Sequence, residues 1–186
     1  MRRTLYFAGL GYLAICGMLV LRNRQRPTTA TSAAGDSWWG RTKARCNAVE
    51  VELAHRMTPP PPTFDGQSYS AACYALAGKI DSARAIIDRL PQRERYQAAG
   101  VVFNVAHPIA DAGDNRSAGP IMELVIEYWP NHYMALYHAG MAEYGLGQAE
   151  LARKNLTAFL ANYHADDGWT RSARETLVRL GNDDQQ

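Results

Sequence analysis

The chain has 186 residues, of which 47% are hydrophobic and 20% charged, and its formal net charge is +2. These values lie within the range for a folded protein and suit one ordinary domain plus an appendage. No block of Lys and Arg supplies the basic stripe that phosphates require, so a nucleic-acid partner is not expected.

Leu5 to Leu21, LYFAGLGYLAICGMLVL, is a run of seventeen residues without a charge. A membrane-spanning helix needs ~17–25 apolar residues, and flanking arginines can snorkel to extend a short one. Arg2 and Arg3 precede the run, and Arg22, Arg24 and Arg26 follow it. We expect an uncleaved N-terminal transmembrane helix within residues 1–25, which makes the chain a single-pass protein of an inner membrane. A cleaved signal peptide is the competing reading, but the small-residue cleavage sites near Ala30 to Ala34 lie far from the apolar run. Cys16 does not suit a lipoprotein site, because bulky Ile15 precedes it and the apolar run continues past it. The arginines balance across the run, so the positive-inside rule assigns no orientation.

Residues 26–37, RPTTATSAAGDS, are small and polar and predict a flexible linker. Residues 38–63 predict an N-terminal capping helix and a Pro-rich loop. In the helix, Cys46, Val49, Leu53 and Met57 form one apolar face at i, i+3, i+7 and i+11. The prolines of TPPPPTFDG then end it. Cys46 and Cys73 fall 27 residues apart on segments that predict neighbouring helices. A disulfide between them would place the soluble domain in an oxidising compartment such as the periplasm. Two buried free thiols are the alternative.

From residue 64 onward the pattern repeats. Apolar helical runs lie on either side of Gly78, Gly113 and Gly147, glycines 35 and 34 residues apart, and Ala83, Ala118 and Ala152 begin the run after each. A period near 34 built of helix, turn and helix predicts stacked helical hairpins. Gly140 and Ala152 remove bulk where two helices cross, and Gly147 can take the left-handed conformation that ends a helix. Three hairpins over residues 64–166 are followed by residues 167–186, a C-terminal capping helix and polar tail. That helix is expected to bury Trp169, Ala173, Leu177 and Leu180 and to expose Arg171, Arg174, Glu175 and Arg179.

The repeat resembles the tetratricopeptide family over roughly Phe64 to Leu180. Leu136, Gly140, Gly147, Ala152, Leu156 and Phe159 match its pattern in the third copy, with His164 where Pro is usual. Ala106, Gly113, Ala118 and Pro130 match in the second, and Ala71, Tyr74, Gly78, Ala83 and Ile87 in the first. Pro108 departs from the pattern, predicting a break or kink, and Glu143 stands where the family usually has an aromatic. The resemblance implies an all-α fold, a right-handed superhelix of about three hairpins with capping helices. It also implies a concave groove that binds protein.

On that groove the repeat register places Tyr69, Phe103, His107, Met134, Tyr137, His138, Met141 and Tyr144. Met adapts its shape and Tyr pairs an apolar body with a polar tip, so both suit an interface. Packing against a neighbouring helix is the ordinary alternative. No P-loop, dinucleotide fingerprint or paired-cysteine metal motif is present. We therefore expect neither enzyme activity nor a cofactor, metal or small-molecule substrate. The expected role is a scaffold, assembly factor or accessory subunit that binds protein subunits of a membrane complex. The alternative function is a metal-binding or catalytic module built on His107, His132 and His138.

Overall fold

The computed structural model describes residues 29–183, and all their regular structure is helical. Helices α1 (Thr29–Thr42) and α2 (Val51–Met57) precede three hairpins: α3 (Phe64–Leu76) with α4 (Ile80–Arg89), α5 (Gln92–Asp111) with α6 (Asn115–Tyr128), and α7 (Tyr133–Gly145) with α8 (Ala149–Asn162). Helix α9 (Gly168–Asp183) closes the series. Helix α1 packs on α3, α3 on α5, α6 on α7, and α9 on α8 and α7. The apolar run proposed as a transmembrane helix lies outside the described residues. Among the described residues no helix is long and apolar enough to cross a membrane.

The three hairpins share one turn. Gly78, Gly113 and Gly147 have φ of +72°, +78° and +75°, and no other described residue has positive φ. At each turn the glycine N–H reaches back three residues (Gly78 to Ala75, 2.9 Å) and the next N–H reaches back five (Lys79 to Tyr74, 2.9 Å; Asp114 to Ile109, 3.3 Å; Gln148 to Glu143, 2.8 Å). This is the paired-bond helix ending that satisfies the last free carbonyls. An added Cβ at any of the three would meet nothing within 4 Å, so backbone conformation rather than room requires glycine there.

Gly140 is required for the opposite reason. A Cβ there would lie 2.7 Å from Leu156 Cγ and 3.1 Å from its backbone nitrogen. Ala139, Ala142 and Ala152 are also buried, so α7 and α8 approach along small residues. Three apolar clusters hold the array. The largest runs from α3 to α7 and includes Ile86, Ile87, Val102, Phe103, Ile121, Met122, Leu124 and Val125. Leu136, Tyr137, Leu156, Phe159 and Ala173 form the C-terminal cluster, and Trp38, Cys46, Val51, Cys73 and Ala77 the N-terminal one. Cys46 and Cys73 are joined by a disulfide, with Cα atoms 4.8 Å apart.

The N-terminal end corrects three expectations. The supposed linker, residues 26–37, is helical from Thr29. Tertiary contact fixes it. Trp38 is buried and donates from Nε1 to the Thr58 carbonyl at 2.8 Å, and Gly35 lies so close to Asp65 that a Cβ would clash. The single helix expected over Trp38–Met57 is interrupted. Asn47 Oδ1 accepts from the N–H groups of Val49 (3.1 Å) and Glu50 (3.0 Å), while its Nδ2 donates to Glu50 Oε2 (2.8 Å). This turn leads into α2, whose own N-cap, Glu50, makes no side-chain cap bond. Val51 and Ala54 face inward, whereas Val49, Leu53 and Met57 are exposed.

Elsewhere, Pro108 does not break α5, which continues to Asp111. The buried face of α9 is Thr170, Ala173, Thr176 and Leu180, with Trp169 left at the rim, 37% exposed.

Candidate functional site

The last turns of α5 carry Phe103, His107 and Asp111 at i, i+4 and i+8, one stripe along a helix. Helix α7 begins beside it. His132 caps α7, its Nδ1 accepting from the Ala135 N–H at 3.2 Å. A second histidine, His138, lies about one and a half turns into the helix. The rings form a chain: Phe103 meets His132 (centroids 4.2 Å apart) and His107 (4.7 Å), and His107 meets His138 edge-on (4.8 Å). His138 in turn contacts Tyr137 and Trp169, and Tyr137 also packs on Phe159.

Burial favours the neutral form of two of these histidines, His132 and His138. Burial pushes the His138 imidazole down to about 4, and the nearby His107 adds to that, against an opposing pull from Asp111. Burial likewise lowers His132. Neutral His138 makes no ion pair with Asp111, although its Nε2 lies 3.6 Å from Asp111 Oδ1. His107 Nε2 lies 3.4 Å from the same oxygen. Neither nitrogen achieves hydrogen-bond geometry, and both are buried without a partner. Such atoms carry a desolvation cost of about 1–3 kcal/mol each.

Two cavities flank the ring chain. One, of ≈320 Å³, is walled by Asp111, Asn115, Tyr137, His138, Met141 and Trp169, among others. The other, of ≈340 Å³, is walled by Gly100, Phe103, Asn104, Trp129, His132, Tyr133 and Met134, with Asn131. Around the second stand Tyr96 and Tyr133, 45% and 42% exposed. Tyr96 packs edge-on against Trp129, and Tyr133 stacks on Tyr163 at 4.8 Å.

A separate polar cluster lies between α6, α7 and α8. Buried Glu143 faces Glu123, and Asn155 Nδ2 donates to both, at 2.9 and 2.7 Å. Burial, then the Glu123 carboxylate, pushes Glu143 up to about 8. This position, where the repeat pattern has an aromatic, is filled by a hydrogen-bonded acid.

The residues assigned to a groove are only partly gathered. Phe103, His107, Tyr137 and His138 meet through the ring chain; Met141 lines the first cavity and Met134 the second. Tyr69 is elsewhere. It stacks on Trp39 of α1 at 5.4 Å, and its hydroxyl donates to Asp36 at 2.9 Å. Phe103, Tyr137 and His138 are 7%, 8% and 6% exposed, so they are core walls more than contact surface. Tyr144 is half-buried. Of the histidine trio, His132 is engaged as a helix cap. Asp111, which the sequence reading passed over, joins the other two; its signal was the four-residue spacing in HPIAD.

No family model matches the chain, and no curated protein or solved structure is significantly similar to it.

Proposed function

We propose that this chain is a non-enzymatic, tetratricopeptide-like scaffold that binds a protein partner, held at a membrane by residues 1–25 with its helical domain in the periplasm. It would serve as an assembly factor or accessory subunit of a membrane complex. The observation that carries the reading is the aromatic pair Trp129 and Tyr133 on the wall of the cavity between α5 and the start of α7, with exposed Tyr96 packed edge-on against Trp129. Three hairpins closed by the same turn make a rigid platform for these rings. Rigid aromatic side chains beside a pocket are the usual anchors of protein interfaces. The Cys46–Cys73 disulfide supports an oxidising compartment.

The test is recovery of partners from the native membrane in mild detergent, comparing the wild type with a Tyr96→Ala/Tyr133→Ala variant. A fixed set of membrane proteins at constant ratio, weakened by more than about 1 kcal/mol in the variant at unchanged melting temperature, is expected. Equal recovery by both would remove these rings from the interface.

A further inference from the structure

We propose that His107, Asp111 and His138 form a binding site for one divalent first-row transition metal ion, with Zn²⁺ as its representative. His107 and Asp111 lie one helical turn apart on α5, and His138 reaches them from α7. One ligand atom from each falls within 4.8 Å of the other two. Metal–nitrogen and metal–oxygen bonds of ~2.0–2.2 Å put neighbouring ligands of a tetrahedral ion about 3.4 Å apart. The two edges that meet at Asp111 Oδ1, 3.4 and 3.6 Å, already have that length. The widest edge, at most 4.8 Å, must shorten by about 1.4 Å when the ion binds.

The second observation is the pair of unpartnered nitrogens. His138 is 94% buried by its 6% exposure, and its Nε2 points at Asp111 without a hydrogen bond; His107 Nε2 is likewise unpaired. An ion among the three atoms would satisfy both nitrogens. The imidazoles lie against the rings of Phe103, Tyr137 and Trp169. Asp111 is 48% exposed and lies on the wall of the ≈320 Å³ cavity, which gives an ion a way in and leaves space for coordinated water. Two imidazoles and one carboxylate suit Zn²⁺ and its transition-metal neighbours, whereas Mg²⁺ and Ca²⁺ favour oxygen-only shells. Among the described residues no thiolate competes, since Cys46 and Cys73 are bonded to each other.

The inference is independent of the partner-binding reading, and its test uses no partner. Full-length protein without a polyhistidine tag, kept in mild detergent and stripped with chelator, is titrated with Zn²⁺ by calorimetry and with Co²⁺ by visible absorption. We expect saturation at one ion per chain, no response to Mg²⁺, and a melting temperature raised by about 5–10 °C at hundredfold excess over Kd. Asp111→Asn and His107→Gln, both at partly exposed positions, should each weaken binding at least roughly tenfold while keeping the helical circular dichroism. Absence of stoichiometric binding by folded wild type would overturn the site, as would wild-type affinity in both variants.

Discussion

The two ends of the helical array are closed in different ways. At the C-terminal end, α7, α8 and α9 interlock through a large cluster of Leu136, Tyr137, Leu156, Phe159 and Ala173, and Gly140 lets Leu156 come close. At the N-terminal end the cluster also has five buried members, Trp38, Cys46, Val51, Cys73 and Ala77, and there a covalent bond joins the segment after α1 to α3. Both ends are closed by helices that are not repeats, α9 at one and α1 with α2 at the other, and among the described residues only the N-terminal closure adds a covalent bond.

Breaking that bond should therefore give the largest effect. Reduction, or Cys46→Ser with Cys73→Ser, releases a loop of 27 residues and should cost about 3–4 kcal/mol in the chain-entropy account. Hydrogen exchange should accelerate in α1, α2 and α3 while α7 and α8 keep their protection. Equal acceleration at both ends would show that the array melts as one unit.

The turns offer a finer comparison, since Gly78 and Gly147 have almost the same φ at opposite ends. Alanine at either must adopt the left-handed region, at about 1–2 kcal/mol. Denaturant midpoints of the two single variants should fall by similar amounts. A much smaller loss for Gly78→Ala would mean that the N-terminal hairpin is partly open already.

A third comparison concerns pH and belongs to the C-terminal side. Glu143 holds its proton more tightly folded than unfolded, so the folded state binds more protons over the interval between those two pKa values. Stability should be fullest below the ordinary carboxylate range and should decline as the pH rises towards about 8. Glu143→Gln can still accept from Asn155 and can donate to Glu123, so its thermal melts should lose that decline.

What the sequence made legible was what repeats. Gly78, Gly113 and Gly147 recur at the period of a hairpin, and each ends a helix by the same paired hydrogen bonds. Gly140 and Ala152 marked a helix crossing because close approach excludes larger side chains. The failures lie where a local pattern depends on a distant partner. Ser- and Ala-rich sequence serves a linker or a helix equally, and contacts of Gly35 and Trp38 decided for helix. The face of Val49, Leu53 and Met57 assumed an unbroken helix through Asn47, where the structure has a turn marked by the Asn47 side-chain bonds. Tyr137 had the spacing of a groove residue, but Phe159 and Trp169 cover it. Asp111 gains its interest only from His138, a residue of another hairpin.

The disulfide also alters how the chain would carry tension. A pull entering from α1 would reach Cys46 and cross to Cys73 through the sulfur bridge, arriving on α3 deep within the first hairpin. The intervening loop, with α2 and its run of four prolines, would bear none of it. That stretch could be cut or remodelled while the two parts it connects stayed tethered.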